Sequence, residues 1–435
     1  MKTIPFRLRV KALDCYLYGG YLFLIMQNGS ILYGSFARII NRLVKKYDTP
    51  SDFLKIAFLR NEYYYGNQAK AFMKIPSMKQ ALMGEWEKLC NQEFELTYED
   101  IADILELVCE WESLPLDVRI YGMRLFVGCR KGLYEINLNP FKSKLYPKSL
   151  DKGFDGKVTN VNPKYNELVV SADSDGLFAT SLNLEEEKAT KFSEHDNISD
   201  RSIRTCWSDT DIYNYGSVNS FSFYGNEYDK IKPQKNHYWE RLESKRISRF
   251  ATSHLDMDAM MAHSQIKKED IRYCFHGANN AFMQLMDGRF VRVAIKGEKV
   301  GESAEMVFSD RVRKAIPYED MEGKGRIISG STIPKGCVIE FYDKILLQKD
   351  NSVQIIDEGA AVKVRTFMSS SRYQDLLSVT MEDHVTIHAI DTLNLDRELT
   401  PQIRHNVKSD DSSNQIPPPN DVHFNVLKDN FDLPF

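Results

Sequence analysis

The fold of this chain is decided by one stretch, Arg124-Leu-Phe-Val-Gly-Cys-Arg-Lys-Gly-Leu-Tyr-Glu-Ile-Asn-Leu138. Two runs of strand-forming residues flank Lys131-Gly132, and the glycine tolerates the backbone angles of a tight turn. The stretch therefore predicts a β-hairpin. A hairpin cannot bury both of its faces alone, so it requires further strands beside it.

The same pattern returns along the whole chain of 435 residues. Successive turns lie 44 and 40 residues apart in the middle of the chain, which matches the ~40–45-residue period of a four-stranded propeller blade. Stacking such units radially buries a continuous core and leaves only short edges. With Arg124–Leu138, the predicted hairpins number about seven, and the others are Tyr21–Tyr33, Glu167–Leu182, Thr210–Tyr224, Ala281–Ile295, Lys344–Ile356 and Asp375–Ile390.

A family resemblance rests on Leu125–Leu138, which carries Val-Gly-x-x-x-Gly-Leu-Tyr between two strands. It resembles repeats of the β-propeller superfamily, especially the sensor propellers of bacterial two-component regulators. Leu168–Leu182 is a second, weaker match, and the Trp-Asp endings of WD40 repeats are absent. The resemblance implies a β-propeller, and the number of hairpins predicts a mainly β protein of about seven blades. The hairpins alone leave a twisted antiparallel sandwich or two smaller β domains as alternatives.

The stretch between the first two hairpins has a different character. Apolar residues recur at helical spacing from Phe36 to Tyr47, and Thr97–Asp100 predicts a capping box that starts a last helix reaching Trp111. We therefore predict four segments, which are a first blade (1–37), an α-helical insertion (38–112), the remaining blades (113–406), and a flexible linker with a C-terminal tail (407–435).

Charge is distributed unevenly, although the net formal charge is only −4. Residues 37–80 carry nine basic and three acidic side chains, whereas residues 85–112 carry ten acidic side chains and one lysine. One interpretation is that two solvated helical faces pair with each other. The other is a docking arm whose acidic part meets a basic partner, and it is the better functional hypothesis.

Composition excludes several classes of protein. Hydrophobic residues make up 43% of the chain, which argues against disorder. The longest apolar run, Tyr21–Met26, is far shorter than the ~20 residues of a membrane-spanning helix, so no membrane partner is expected. Seven scattered cysteines without a Cys-x-x-Cys pair indicate reduced thiols, which predicts a cytoplasmic location.

Motifs for catalysis are missing from the sequence, which has no glycine-rich phosphate loop, His-Glu-x-x-His or Gly-x-Ser-x-Gly. We therefore expect no enzyme activity and no cofactor. His384 and His388 are weak candidates for metal ligands, because a period of two places them on one strand face, but no third or fourth ligand can be named.

Partner-binding candidates come from the insertion, a basic stretch after Lys230 and the tail. The basic stretch interleaves cations with aromatics, so nucleic-acid binding is an alternative to a protein contact. The candidates are Arg60, Tyr63, Tyr64, Tyr65, Glu99, Asp103, Glu106, Glu110, Lys232, Lys235, Tyr238, Trp239, Arg241, Lys245, Arg246, Phe431 and Phe435.

The sequence thus predicts a non-catalytic propeller subunit that docks protein partners through its insertion and one propeller face, within a larger intracellular complex. Two alternatives stay open. One is a sensor propeller that binds a small ligand or peptide in its central funnel, and the other is a propeller hydrolase or lyase.

Overall fold

The structure is a computed structural model. It describes residues 3–47, 51–138, 150–182, 188–208, 211–225, 227–230, 244–248, 254–262, 266–277, 280–300, 303–316, 325–334, 336–349 and 352–391. The predicted linker and tail, 407–435, lie outside the described residues.

Strands dominate the described chain. The first ten are β1 (Thr3–Arg9), β2 (Ala12–Tyr18), β3 (Tyr21–Met26), β4 (Ser30–Ser35), β5 (Phe94–Thr97), β6 (Leu105–Glu110), β7 (Pro115–Tyr121), β8 (Arg124–Cys129), β9 (Gly132–Asn137) and β10 (Asp151–Asp155). The next ten are β11 (Asn160–Lys164), β12 (Glu167–Ser171), β13 (Leu177–Ser181), β14 (Asn197–Ser199), β15 (Arg204–Ser208), β16 (Asp211–Tyr215), β17 (Ser222–Tyr224), β18 (Glu227–Lys230), β19 (Ser244–Ser248) and β20 (His254–Asp256). The remainder are β21 (Ile271–Gly277), β22 (Asn280–Leu285), β23 (Phe290–Val300), β24 (Ser303–Ile316), β25 (Ser329–Ile333), β26 (Gly336–Glu340), β27 (Lys344–Lys349), β28 (Ser352–Glu358), β29 (Lys363–Thr366), β30 (Leu376–Thr380) and β31 (Val385–Ile390).

The described strands form seven sheets of four or five strands, which we call blades 1 to 7, and one two-stranded sheet. Blade 1 is β2-β3-β4-β6, blade 2 is β7 to β10, blade 3 is β11 to β14, and blade 4 is β15-β16-β17-β20. Blade 5 is β21 to β24, blade 6 is β25 to β28, and blade 7 is β29-β30-β31-β1-β5. β18 and β19 form a separate hairpin inserted in blade 4.

The blades close into a ring. The first strand of each blade contacts the first strand of the next, from β2 through β7, β11, β15, β21 and β25 to β29 and back to β2. The N-terminal strand β1 pairs with β31 from Thr3 opposite Ile390 to Leu8 opposite Val385, and so completes blade 7. The chain is a seven-bladed β-propeller.

Every predicted hairpin is confirmed, one in each blade. In six blades it joins the second and third strands, and in blade 6 it joins β27 and β28 instead. The sequence pattern missed the β26–β27 hairpin. Its turn, Phe341–Asp343, contains no glycine or asparagine to mark it.

Two sequence expectations are wrong in detail. β1 belongs to blade 7 and not to the first blade, because the ring closes only when strands from both ends of the propeller share one sheet. The Thr97 capping box exists but starts a four-residue helix, and Leu105–Glu110 is strand β6 and not a helix. β6 supplies the fourth strand of blade 1 by pairing with β4, and this tertiary pairing overrides the local helical spacing.

Helices lie mainly between β4 and β5. They are α1 (Phe36–Tyr47), α2 (Ser51–Leu59), α3 (Tyr63–Met73), α4 (Pro76–Cys90) and α5 (Tyr98–Ile101), with α6 (Met257–Met261) following β20. Two 3-10 turns cover Glu194–Asp196 and Lys268–Asp270.

The layer formed by α1 to α4 packs on blade 7, where the ring closes. Ile39 of α1 and Leu54 of α2 share one buried core with Phe6 of β1 and Ile387 of β31. Burial of each such side chain stabilises the fold by about 1.5–3 kcal/mol. The helical layer therefore packs on blade 7 and does not project from the propeller as a free arm.

Candidate functional site

The three largest described insertions all occur at the same kind of connection. α1 to α5 with β5 separate the third and fourth strands of blade 1, and β18–β19 separate those of blade 4. In blade 5 the third and fourth strands extend as a long hairpin that turns between Val300 and Ser303. Because strands alternate in direction within a blade, all third-to-fourth connections emerge on one side of the ring. We call this side the insertion face, and the other the opposite face.

The centre of the ring holds a buried polar network between first strands. Arg365 of β29 donates Nε to Asp14 Oδ1 at 2.5 Å and Nη2 to Asp117 Oδ1 at 3.3 Å. Asp117 Oδ2 also accepts the side-chain amide of Asn160 at 2.8 Å and the N–H of Val161 at 3.0 Å. One guanidinium and two carboxylates thus join blades 7, 1, 2 and 3.

The network continues round the ring. Asn160 Oδ1 accepts the N–H of Thr205 at 3.0 Å, which reaches blade 4. Arg204, the neighbour of Thr205, donates to the Tyr273 hydroxyl at 2.6 Å and to the Cys274 carbonyl at 2.5 Å in blade 5. Side-chain hydrogen bonds therefore link the first strands of six consecutive blades, from blade 7 through blade 1 to blade 5.

Electrostatics hold this centre in its charged state. Burial alone raises the pKa of Asp117, but Arg119, Lys363 and Arg365 together outweigh it and hold that pKa below its ordinary range. Burial lowers the pKa of Arg365, and the Asp14 carboxylate and hydrogen bond more than reverse that effect. The charged groups satisfy one another, which suits a structural role in joining blades.

An exposed patch lies at the corner between α3 and α4. All residues from 74 to 81 are exposed, including Ile75 at 47% and Met78 at 40%. Lys70, Lys74 and Lys79 are exposed around them. In the described part of the chain, none of these three lysines has an acidic group within ion-pair distance. We call these five residues the corner patch.

The acidic candidates are not part of the corner patch. Asp103 pairs with Arg42 at 2.8 Å, and Asp100 pairs with Lys46 at 2.8 Å, so part of the split charge pairs internally. Glu106 accepts the Tyr33 hydroxyl at 2.6 Å. The two remaining candidates, Glu99 on α5 and Glu110 on β6, are exposed.

Arg60 is buried, in contrast to the acidic candidates. Its Nη2 lies 2.8 Å from Asp375 Oδ2 and donates to the Ile390 carbonyl at 3.2 Å. Arg60 thus ties α2 to blade 7. Tyr63, Tyr64 and Tyr65 begin α3, and their side chains are outside the described groups.

The basic candidates after Lys230 fall mostly outside the description. Lys245 and Arg246 lie in β19, whose side chains are not among the described groups. The other members, together with the tail candidates, lie outside the described residues: Lys232, Lys235, Tyr238, Trp239, Arg241, Phe431 and Phe435.

The two histidine candidates have protein partners. His388 is buried, with Nδ1 3.2 Å from Thr3 Oγ1 and Nε2 3.0 Å from Asp357 Oδ2. His384 Nδ1 contacts Asp383 Oδ1 at 2.6 Å. Among the described residues no group of three or more His, Cys, Asp or Glu side chains is placed to hold a metal ion. Both ring nitrogens of His388 serve blade 7, since they join β31 to β1 and to β28 of blade 6.

No sequence motif marks Glu340, which ends β26 and is only 8% exposed. Exposed apolar residues surround it on the opposite face, among them Tyr342 at 77%. Its setting depends on contacts between blades, which no local motif encodes.

Comparison with known proteins yields no family. No protein-family model matches the chain, and no curated protein matches it. Solved structures of similar fold include the computationally designed Ika8 protein, at 7% identity and TM-score 0.45, over 90% of this chain and 100% of that one. A chain of a mitotic checkpoint complex has 7% identity and TM-score 0.42, over 88% and 86%. The extracellular domain of the putative hybrid two-component system BT4673 from B. thetaiotaomicron has 9% identity and TM-score 0.35, over 62% and 33%.

Within the described ranges, no helix has the length and apolar character to cross a membrane.

Proposed function

We propose that this protein is a non-catalytic interaction subunit that docks protein partners through its insertion face. The observation that carries the proposal is the placement of the three largest insertions at third-to-fourth strand connections. A ring whose first strands are joined by hydrogen bonds is a rigid scaffold, and binding residues commonly lie on loops and insertions that such a scaffold positions.

Within that face, the corner patch is the proposed contact surface. Ile75 and Met78 offer apolar area, and the three lysines near them in the chain have no ion-pair partner among the described residues. This combination fits a protein segment with apolar anchors and acidic neighbours, because opposite charges steer association and apolar centres hold it. The proposed partner is therefore acidic, the reverse of the basic partner that the acidic segment first indicated.

The central network favours docking over ligand binding in the funnel. Asp14, Asp117 and Arg365 bind one another, so an incoming ligand has to displace hydrogen bonds that join blades.

The experiment uses the full-length chain, tagged and isolated from its native cells after cross-linking, with bound proteins identified by mass spectrometry. Replacing Ile75→Glu together with Met78→Glu should remove the specific partners, because it places acids against an acidic segment. Lys131→Glu, an exposed charge change on the opposite face, is the matched control. Partners that survive the double change, or that disappear equally with the control, would overturn the assignment to the corner patch.

A further inference from the structure

Glu340 is a buried acid without a described protein partner. Only 8% of the residue is exposed, and no hydrogen bond or ion pair from the described chain reaches its carboxylate. Burying an ionised carboxylate that has no hydrogen-bond or ion-pair partner costs free energy unless another group binds it. Glu340 therefore differs from Asp14 and Asp117, whose oxygens are all engaged within the central network.

The charged and titratable groups near Glu340 leave its carboxyl group able to bind an incoming cation. Burial raises its pKa to about 7, although Lys363 of blade 7 acts in the other direction. Lys363 is itself 3.4 Å from Asp117 Oδ1, so its charge is shared. Tyr273 of blade 5 accepts a hydrogen bond from Arg204, and burial raises the pKa of Tyr273, so it stays neutral.

Apolar side chains are exposed around this carboxyl group. Ile328 is 48% exposed, and its N–H donates to the Glu340 carbonyl at 2.9 Å. Tyr342 follows two residues later and is 77% exposed, and Val362, next to Lys363, is 44% exposed. All three lie at strand ends on the opposite face, because they flank the β26–β27 turn and the starts of β25 and β29.

We propose that Glu340, Ile328, Tyr342 and Val362 form a second docking site, which takes a protein segment that inserts a lysine or arginine side chain between apolar neighbours. The lysine or arginine of the bound segment pairs with the buried carboxylate of Glu340. The apolar residues next to that cation in the bound segment pack on Ile328, Tyr342 and Val362. An aromatic anchor beside a desolvated charge is the composition of an energetic centre in protein interfaces. The site lies on the opposite face and is independent of the corner patch.

Two synthetic peptides test the site by calorimetric titration of the full-length chain. One is acetyl-Leu-Lys-Val-amide, and the other replaces lysine with uncharged norleucine of similar length. The lysine peptide should bind at least about tenfold more tightly, because charge-assisted hydrogen bonds contribute that much. Its affinity should rise with pH through about 7, as Glu340 loses its proton.

Variants locate the effect. Glu340→Gln keeps the shape of the side chain and should remove both the tenfold preference and its pH dependence, whereas Asp343→Asn, an exposed acid nearby, should change neither. Tyr342→Ala should weaken both peptides, and because Tyr342 is exposed this variant tests the site even if Glu340→Gln does not fold. Equal binding of the two peptides, or binding of neither, would overturn the proposal. So would equally tight binding of n-butylamine, which would assign the carboxyl group to a small amine.

Discussion

The hydroxyl of Tyr18 accepts a hydrogen bond from the backbone N–H of Met123 at 3.3 Å. Tyr18 ends the first strand of blade 1, and Met123 lies in the first turn of blade 2 with a φ of 57°. The relationship repeats one blade further, where the Tyr121 hydroxyl accepts the N–H of Asn166 at 3.1 Å, and Asn166 has a φ of 59°. A tyrosine at a strand end thus supports a left-handed turn in the following blade.

Removing these hydroxyls should loosen the joints between blades. Tyr18→Phe and Tyr121→Phe should each lower the free energy of unfolding by about 1 kcal/mol, because each leaves a backbone N–H without its acceptor. Urea denaturation measures the change. Tyr98→Phe, at an exposed position on α5, is the control and should leave stability unchanged. Equal stability of all three variants would show that these hydrogen bonds do not stabilise the joints.

Removing the buried guanidinium of Arg365 should lower the stability of the protein far more than removing the exposed guanidinium of Arg9. Arg365→Met leaves the buried carboxylates of Asp14 and Asp117 without their main partner, and should cost about 3–5 kcal/mol of stability. Arg9→Met removes an exposed pair with Glu95 and should cost less than about 1 kcal/mol. Chemical denaturation compares the two. Similar losses in both variants would contradict the structural role of the network.

The helical layer should be required for folding. Replacing residues 37–92 by a short linker uncovers the apolar faces of β1 and β31, so the product should aggregate, as size-exclusion chromatography would show. Arg60→Met tests the same contact more gently. It leaves Asp375 half-satisfied and should cost about 3 kcal/mol. A soluble, folded β protein after the deletion would instead support a free arm.

Acid should destabilise the junction of blades 4 and 5 through His276. Burial lowers the pKa of His276 well below its ordinary value of 6.5, with a smaller effect from Arg204. The unfolded chain therefore binds the proton more tightly, so this contribution to stability is present above pH 6.5 and is lost as the pH falls below it.

A His276→Phe variant isolates that effect. The pKa of Glu340 is raised to about 7, so acid increases its contribution to the free energy of unfolding. This contribution is the same in the parent and in the variant and therefore cancels when the two are compared. The free energy of unfolding, measured between about pH 5 and pH 8, should fall less steeply on acidification in the variant than in the parent. Parallel curves would rule out a neutral buried imidazole.

Thiol reactivity should be low in the folded protein. The structure describes all seven cysteines, and none of them forms a disulfide bond. Burial raises the pKa of Cys109 to about 11 and that of Cys274 to about 12. Cys90 and Cys206 are both half-buried, but burial raises the pKa of Cys206. Cys90 should therefore react first with a disulfide reagent, and Cys90→Ser should remove that fast phase. Unfolding should make the remaining thiols reactive. Rapid reaction of several thiols in the native state would contradict this assignment.

Local sequence accounts for the hairpins. Asn28-Gly29 and Lys131-Gly132 specify turns, and alternating apolar residues specify strands, so each hairpin can be read without knowledge of its neighbours. Leu105–Glu110 shows the limit of such patterns, since its residues fit a helix until β4 is there to pair with it.

Sequence alone therefore determined that this protein is mainly β and is built from about seven hairpins. Tertiary structure decided that β1 closes the ring, that the helices cover the closure, and which charged groups meet. Asp14 and Arg365 are far apart in the chain, and Glu340 lies between blades whose strands come from separate segments. Turn preferences act over a few residues, whereas burial and charge pairing depend on distances that only the closed ring sets.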